Sequence, residues 1–253
     1  MRGPWACPEH SPAGGNAVRI LVINPNSSSA LTESVAEAAQ QVVAPGTIIS
    51  ATNPSRGPAV IEGSYDEVLA TFHLLEEVER AERENPPDAY VIACFGDPGL
   101  DAVKELTDRP VVGVAEAAIH MSSFVAATFS VVSILPRVRK HLHDLVRQAG
   151  ATNRLASIKL PNLGVMAFHE DEHAALETLK QAAKEAVQED GAESIVLGCA
   201  GMVGFARQLS DELGVPVIDP VEAACRVAES LVALGYQTSK ANSYQKPTEK
   251  QYL

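Results

Sequence analysis

From residue 18 onward, short β-branched runs alternate with helix-length amphipathic segments, and this alternation constrains the fold more than any other feature. VRILVI (18–23) precedes ALTESVAEAAQQVV, AYVIA (89–93) precedes GLDAVKELT, and PVVGV (110–114) precedes EAAIHMSSFVAA. FSVVSI (129–134) leads into RVRKHLHDLVRQAG, and PVIDP (216–220) opens onto VEAACRVAESLVALG. TIISA (47–51) meets a Gly/Pro loop before SYDEVLATFHLLEEVERAERE, while ASIKL (156–160) meets a loop before EDEHAALETLKQAAKEAVQEDG and then SIVLG. When a helix separates successive strands, the strands pair in parallel and the helices cover both faces of the sheet. The fold class expected is α/β.

The alternation also repeats. AYVIACFGDPGL around Cys94 is echoed by ESIVLGCAGMVGF around Cys199, 105 residues later. RPVVGVAEAA (109–118) returns as VPVIDPVEAA (215–224), and RILVINPNSS (19–28) more loosely as FSVVSILPRV (129–138). Val/Ile-rich strands resemble one another in any α/β protein, but matched cysteines and a matched PV…EAA block are not generic. The chain reads as two similar, pseudo-symmetric α/β halves that face one another, each a parallel sheet flanked by helices. Residues 18–115 plus 220–240 make the first and 116–219 the second, the last helix packing back on the first half. Residues 1–17, rich in Pro and Gly, read as a disordered extension, and 241–253 as a polar C-terminal tail.

Composition narrows the function. Of 253 residues, 46% are hydrophobic, enough for a full core. Twenty Lys and Arg face 32 Asp and Glu, for a net charge of −12, which repels nucleic acid and anionic membrane. No apolar run reaches the roughly 18 residues of a membrane span, and the first 17 residues lack the apolar core of a secretory leader. Four cysteines in such a chain point to reduced thiols in the cytoplasm. The expected partner is a small, weakly charged molecule.

Two cysteines carry the chemistry. Ligands of open parallel sheets bind beyond the carboxyl ends of the strands, where both Cys94 and Cys199 stand. Asp97 reads as a helix N-cap and Pro98 as the first helical residue. Gly96, Gly99, Gly198 and Gly201 let backbone amides approach a ligand, and a helix N-terminus favours thiolate over thiol. A lone cysteine after a buried strand is ordinarily a small hydrophobe, but two at equivalent repeat positions can flank one carbon. One thiolate takes a proton from a stereocentre while the opposing thiol returns one. Cys225 lies within an amphipathic run and reads as core, and Cys7 belongs to the extension.

INPNSS, CFGDPGLDAVKE, GVAEAA and LGCAGM together resemble the aspartate/glutamate racemase superfamily, and within it the hydantoin racemase branch. The likeness spans nearly all of residues 18–253. It implies two pseudo-symmetric domains with the active site in the cleft between them, cofactor-independent two-base racemisation by Cys94 and Cys199 with neither metal nor pyridoxal phosphate, and a homo-oligomer. Amino-acid racemases of the superfamily follow the first cysteine with an Asn-Thr-like pair that binds carboxylate. Here Phe95-Gly96 and Ala200-Gly201 stand instead, which disfavours a free amino acid or an arylmalonate-type substrate. The resemblance then points to 5-substituted hydantoins, with C5–H flanked by a carbonyl so that its carbanion is an enolate stabilised by N–H donors.

Asn24, Phe95, Gly96, Asp97, Ala200, Gly201 and Glu116 are the expected substrate contacts. Asn24 precedes a proline and reads equally as a turn residue; Glu116, echoed by Glu222, reads equally as a helix-start carboxylate. Arg137 ends the strand that pairs with the first and is a weaker candidate. HEDEH (169–173) matches H-E-x-x-H but lacks an evident third ligand and reads as a solvated helix start. His141 and His143, two apart, point in different directions and cannot easily share a ligand. An allantoin racemase would share cleft and cysteines with a polar pocket for the ureido group, and a non-catalytic two-lobed binding protein would share only the shape.

Overall fold

The strands are short and mostly buried on both faces, as runs such as AYVI (residues 89–92) and FSVV (129–132), without polar alternation, require. The computed structural model of the chain describes residues 17–248. The extension, with Cys7, and the last five residues lie outside these.

The first sheet contains β1 (Arg19–Ile23), β2 (Ile48–Thr52), β3 (Ala89–Ile92) and β4 (Val111–Gly113), in the order β2-β1-β3-β4. The second contains β5 (Phe129–Val132), β6 (Leu155–Lys159), β7 (Ile195–Leu197) and β8 (Val217–Ile218), in the order β6-β5-β7-β8. Every pairing is parallel. Ile23 lies opposite Ile92 in one sheet and Val132 opposite Leu197 in the other, so the two cysteines follow equivalent strands two residues past their ends. The internal echo is therefore structural: the same topology is built twice.

The first sheet is accompanied by α1 (Ser29–Val42), α2 (Ser64–Glu84) and α3 (Leu100–Leu106), and α4 (Val114–Val125) leads away from β4. The second carries α5 (Arg139–Gln148), α6 (Ala167–Glu170), α7 (Glu172–Gln188) and α8 (Ala206–Leu213). The last helix, α9 (Pro220–Ala233), returns to pack on α4, α1 and the first sheet. Cys225, on α9, is wholly buried in the core that this packing closes.

Three local features depart from the sequence reading. Helix α8 was not anticipated, because its two turns between SIVLG and PVIDP are too short to show periodicity; Gly214, at φ 71, ends it. HEDEH does not form one helix. Asp171 interrupts it, accepting the Ala174 N–H at 3.0 Å to cap α7, so His169 and His173 belong to different helices. Part of the expected tail is anchored: Tyr244 donates to Asp101 at 3.2 Å, just after a segment in which Thr238 hydrogen-bonds the backbone of Asp108 and Arg109 and Lys240 caps carbonyls at the end of α3.

Asp97 is the most consequential difference. It does not cap the helix that follows it: α3 starts at Leu100, after Gly99 at φ 66. Asp97 instead adopts φ 45 and sends its carboxylate to the start of α4, accepting the N–H of Ala115 at 3.1 Å and of Glu116 at 2.8 Å. In the other half, Asp219 caps its own helix, accepting from Val221 at 2.8 Å and Glu222 at 3.2 Å, and reaches back to the Gly204 N–H at 3.1 Å. The position equivalent to Asp219 is Gly113, and a Cβ there would fall on the Asp97 carboxylate. One half supplies the cap from the helix, the other from the cysteine loop.

Gly113→Ala should therefore eject Asp97 from the cap and lower the unfolding free energy by about 2–4 kcal/mol, since buried charge-assisted hydrogen bonds are lost. Asp97→Ala should cost a similar amount, and the double variant much less than the sum of the two. An unchanged urea midpoint for Gly113→Ala would show that the carboxylate is not held there.

Candidate active site

A cavity of about 210 Å³ lies where the carboxyl ends of the two sheets meet. The β1–α1 loop contributes Asn24 and Asn26, the turn after β3 contributes Ala93 to Gly96, and the turn after β7 contributes Gly198 to Gly201. Ile134, Arg137 and Val138 enter from the loop after β5. Parallel pairing places these loops on one edge because every strand runs the same way.

Both cysteines line this cavity. Cys199 is buried and Cys94 half-buried. Cys199 Sγ accepts the Gly201 N–H at 3.4 Å, and at Cys94 the backbone amide two residues later, that of Gly96, likewise favours charge on sulfur. These amides, expected to face a ligand, face the thiols and stabilise charge on sulfur. Gly198 permits the close approach of β7 and β5, since a Cβ there would lie 2.5 Å from Ser133 Cβ. Ser133, in the place of Asn24, donates to the Gly198 carbonyl at 2.7 Å.

Helix starts do not make these thiols acidic. Cys94 lies six residues before α3, and Cys199 heads only a three-residue 3₁₀ turn, Ala200–Met202. Burial dominates, pushing Cys94 up to about 12 and Cys199 to about 11. The Gly96 and Gly201 amides oppose the shift, while Cys199, Asp97 and Glu67 add to it at Cys94, and Glu62 adds to it at Cys199. Burial therefore favours the thiol over the thiolate at both sulfurs.

The remaining expected contacts divide. Phe95, Gly96, Ala200 and Gly201 line the cavity with the cysteines. Asn24 also lines it, but its amide donates to Asn26 Oδ1 at 2.8 Å and Thr32 Oγ1 at 3.0 Å, fastening the β1–α1 turn. Asp97 and Glu116 stand outside. Asp97 faces α4 as described, and Glu116 pairs with Lys104 at 3.2 Å beside a second cavity behind the Cys94 loop. Glu116 is the first-turn carboxylate of α4, where the helix dipole favours it.

Several wall residues escaped the sequence reading. Ile61, Gly63, Ser64 and Glu67 reach the cavity from the segment joining β2 to α2, and Lys140, His141, Leu142 and Asp144 from α5. Glu62 accepts the Val165 N–H at 3.0 Å, tying that segment to the second half. The signal available was positional: β2–α2 and β5–α5 connections also leave the carboxyl ends of strands. Leu31, Val35, Ile61, Ile134, Val138, Leu142 and Val165 make most of the wall apolar. Among the described residues no cluster of three or more His, Cys, Asp or Glu could hold a metal ion, and no helix is long and apolar enough to cross a membrane.

Two equivalent sheets with a thiol from each lining a shared cavity define a two-lobed α/β protein. The chain belongs to the Asp/Glu/Hydantoin racemase family, whose model matches residues 20–228. It is 96% identical over 236 residues to the hydantoin racemase of Paenarthrobacter aurescens, covering 93% of this chain and all of that one. It is 48% identical to the hydantoin racemase of Pseudomonas sp. (strain NS671), covering 93% and 94% of the two chains. Among solved structures it superposes on the allantoin racemase from Klebsiella pneumoniae with a TM-score of 0.90 at 47% identity, covering 92% and 95%.

Because burial favours the thiol at both cysteines, iodoacetamide should alkylate Cys94 and Cys199 slowly at pH 7, where a free cysteine is already a few per cent thiolate. The rate at each, followed by peptide mass spectrometry, should climb about tenfold per pH unit through pH 10. A plateau below pH 8 at either cysteine would reveal an acidic thiol and contradict the burial argument.

Proposed function

We propose that this protein racemises 5-monosubstituted hydantoins at C5 by two-base proton transfer between Cys94 and Cys199, without metal or organic cofactor, as a cytoplasmic homo-oligomer. The observation that carries this reading is that two thiols from duplicate strand ends line a single cavity.

Consider the enantiomer whose C5–H faces Cys94. Once Cys94 has given its own proton to solvent, the thiolate takes the C5 proton, and the electron pair of the C–H bond moves into the ring as an enolate. Cys199, still a thiol, delivers its proton to the opposite face of C5, leaving Cys199 as thiolate and the ring inverted. The other enantiomer runs the sequence backwards, so one proton enters and one leaves in each turnover. The Gly96 and Gly201 amides stabilise whichever sulfur is charged. Arg137, whose guanidinium lies over the backbone of Gly63 on the cavity wall, supplies fixed positive charge for the enolate oxygen. A dry, largely apolar cavity strengthens these interactions, and it also makes the bare thiolate scarce.

The apolar part of the wall supports a hydantoin over its ureido-bearing relative. Leu31, Val35, Ile134, Val138 and Leu142 suit an aliphatic or aromatic 5-substituent. The second reading, an allantoin racemase, is favoured by the likeness to the Klebsiella pneumoniae structure and by polar groups at Glu67, Lys140 and Asp144, which could meet a ureido group.

One enantiomer of 5-benzylhydantoin in D₂O, with no metal or pyridoxal phosphate added, should lose optical rotation and its C5 proton together. Cys94→Ser or Cys199→Ser should each slow racemisation at least about a hundredfold. Near-normal racemisation by either variant removes that cysteine from the mechanism, and no exchange by the wild type above buffer leaves a binding protein. Benzyl- and isobutyl-substituted rings should exceed the ureido-substituted ring in kcat/KM by at least about tenfold; the reverse order would favour the allantoin reading.

A further inference from the structure

The pseudo-symmetry breaks beside the cysteines. Helix α1, from the first half, borders the 3₁₀ turn after Cys199, and its third residue, Leu31, is buried in the same apolar cluster as Cys199. Helix α5 is the counterpart of α1, following β5 as α1 follows β1. Its third residue is His141. His141 meets the Cys94 loop with a polar contact where Leu31 offers only packing. Its Nε2 lies 3.0 Å from the Gly96 carbonyl, and a carbonyl only accepts, so Nε2 donates. The same nitrogen is 3.7 Å from Glu67 Oε1 on α2.

We infer that His141 is a positioning residue for Cys94 alone: its hydrogen bond to the Gly96 carbonyl holds the turn whose Gly96 amide serves the Cys94 sulfur, making the two thiols of the site inequivalent. This rests on the racemase reading above for its catalytic meaning, though the contact itself does not. Gly96 has no side chain to fix its orientation, and a Cβ on it would lie 3.3 Å from His141 Nε2 and 3.8 Å from Cys94 Sγ. The ring therefore sits over the glycine that only a small residue allows. The Gly96 carbonyl belongs to the Gly96–Asp97 peptide, whose Asp97 N–H bonds the Cys94 carbonyl at 2.9 Å; without the ring that peptide keeps only this one tie, and the turn that sets the adjoining Gly96 amide beside Cys94 loosens. The charged and titratable groups around Cys94 are Glu67 on α2, Asp97 in its own loop, Cys199 across the cavity, and Arg137, Lys140, His141 and Asp144 beside β5 and on α5. Of these, His141 alone is hydrogen-bonded to the turn from the opposite half, among the described residues. At Cys199 the cross-link from the other half is Glu62 to Val165, which does not touch the glycine amide.

The direction of an overall racemisation cannot report this asymmetry. Its equilibrium constant is one, so kcat/KM must change equally for both enantiomers whatever residue is altered. Site-resolved alkylation of the free enzyme can. His141→Leu, which copies the Cys199 side, should slow iodoacetamide alkylation of Cys94 at pH 8.5 about tenfold, the fold-change of losing one hydrogen bond to a charged group. Alkylation of Cys199 should stay within about twofold, and His141→Gln, whose amide can donate to the same carbonyl, should restore most of the Cys94 rate. In turnover, the primary isotope effect of C5-deuterated substrate should change between wild type and His141→Leu for one enantiomer more than for the other.

A folded His141→Leu with unchanged Cys94 alkylation overturns the inference, as does an equal fall at both cysteines or a failure of His141→Gln to restore the rate. If the wild-type protein racemises nothing, the racemase reading falls, while the alkylation ratio still decides whether His141 acts on Cys94.

Discussion

Everything functional in this protein depends on parallel pairing of short, fully buried strands. Parallel strands cannot be joined by tight turns, so each must be followed by a crossing segment, and every crossing begins at the same edge of the sheet. Two such sheets, with their carboxyl edges turned toward one cavity, bring the loops after β1, β2, β3, β5, β6 and β7 to its wall. Cys94 and Cys199 are neighbours in space because Ile92 and Leu197 occupy the same register position in their sheets, opposite Ile23 and Val132.

Holding those loops in place requires satisfying the helix starts around them. The amides of Ala115 and Glu116, and those of Val221 and Glu222, are equivalent pairs at the heads of α4 and α9. Each pair is met by a buried aspartate, but Asp219 comes from the helix cap itself and Asp97 from the cysteine loop. The exchange costs a left-handed backbone at Asp97 and demands glycine at 113. In return the Cys94 loop is fastened to α4, and Asp219 performs the same service for the Cys199 side through Gly204. Burial pushes the Asp97 carboxyl up to about 7, against the pull of the two amides. The cap thus sits in surroundings as dry as those of the thiols.

The same dryness shapes the chemistry. A buried thiol is reluctant to ionise, and the apolar wall around the cavity raises both sulfurs. What the protein offers against this is one backbone amide for each sulfur, and neither sulfur is served by a long helix dipole. In the mechanism proposed above, only one of the two need be charged at a time, and the charge passes from one to the other as the substrate inverts. Equivalent amides on equivalent turns suit a reaction whose two directions are chemically the same.

The sequence alone determined the α/β class, the duplication and the pairing of Cys94 with Cys199, because periodicity and repeats are local and survive without coordinates. The departures have one cause: they concern side chains whose partners are distant along the chain. Asp97 has the composition of a local cap, and nothing in GDPGL reveals that Gly113 leaves room for it sixteen residues later. Asn24 looked free to bind substrate until Asn26 and Thr32 claimed its amide, and the sequence showed of His141 only that it does not face His143, not that α5 would lay it against the Cys94 loop. The acidity of the thiols likewise follows from desolvation and from which amides point at sulfur, and these are properties of packed volume and direction. Only the tertiary structure decides them.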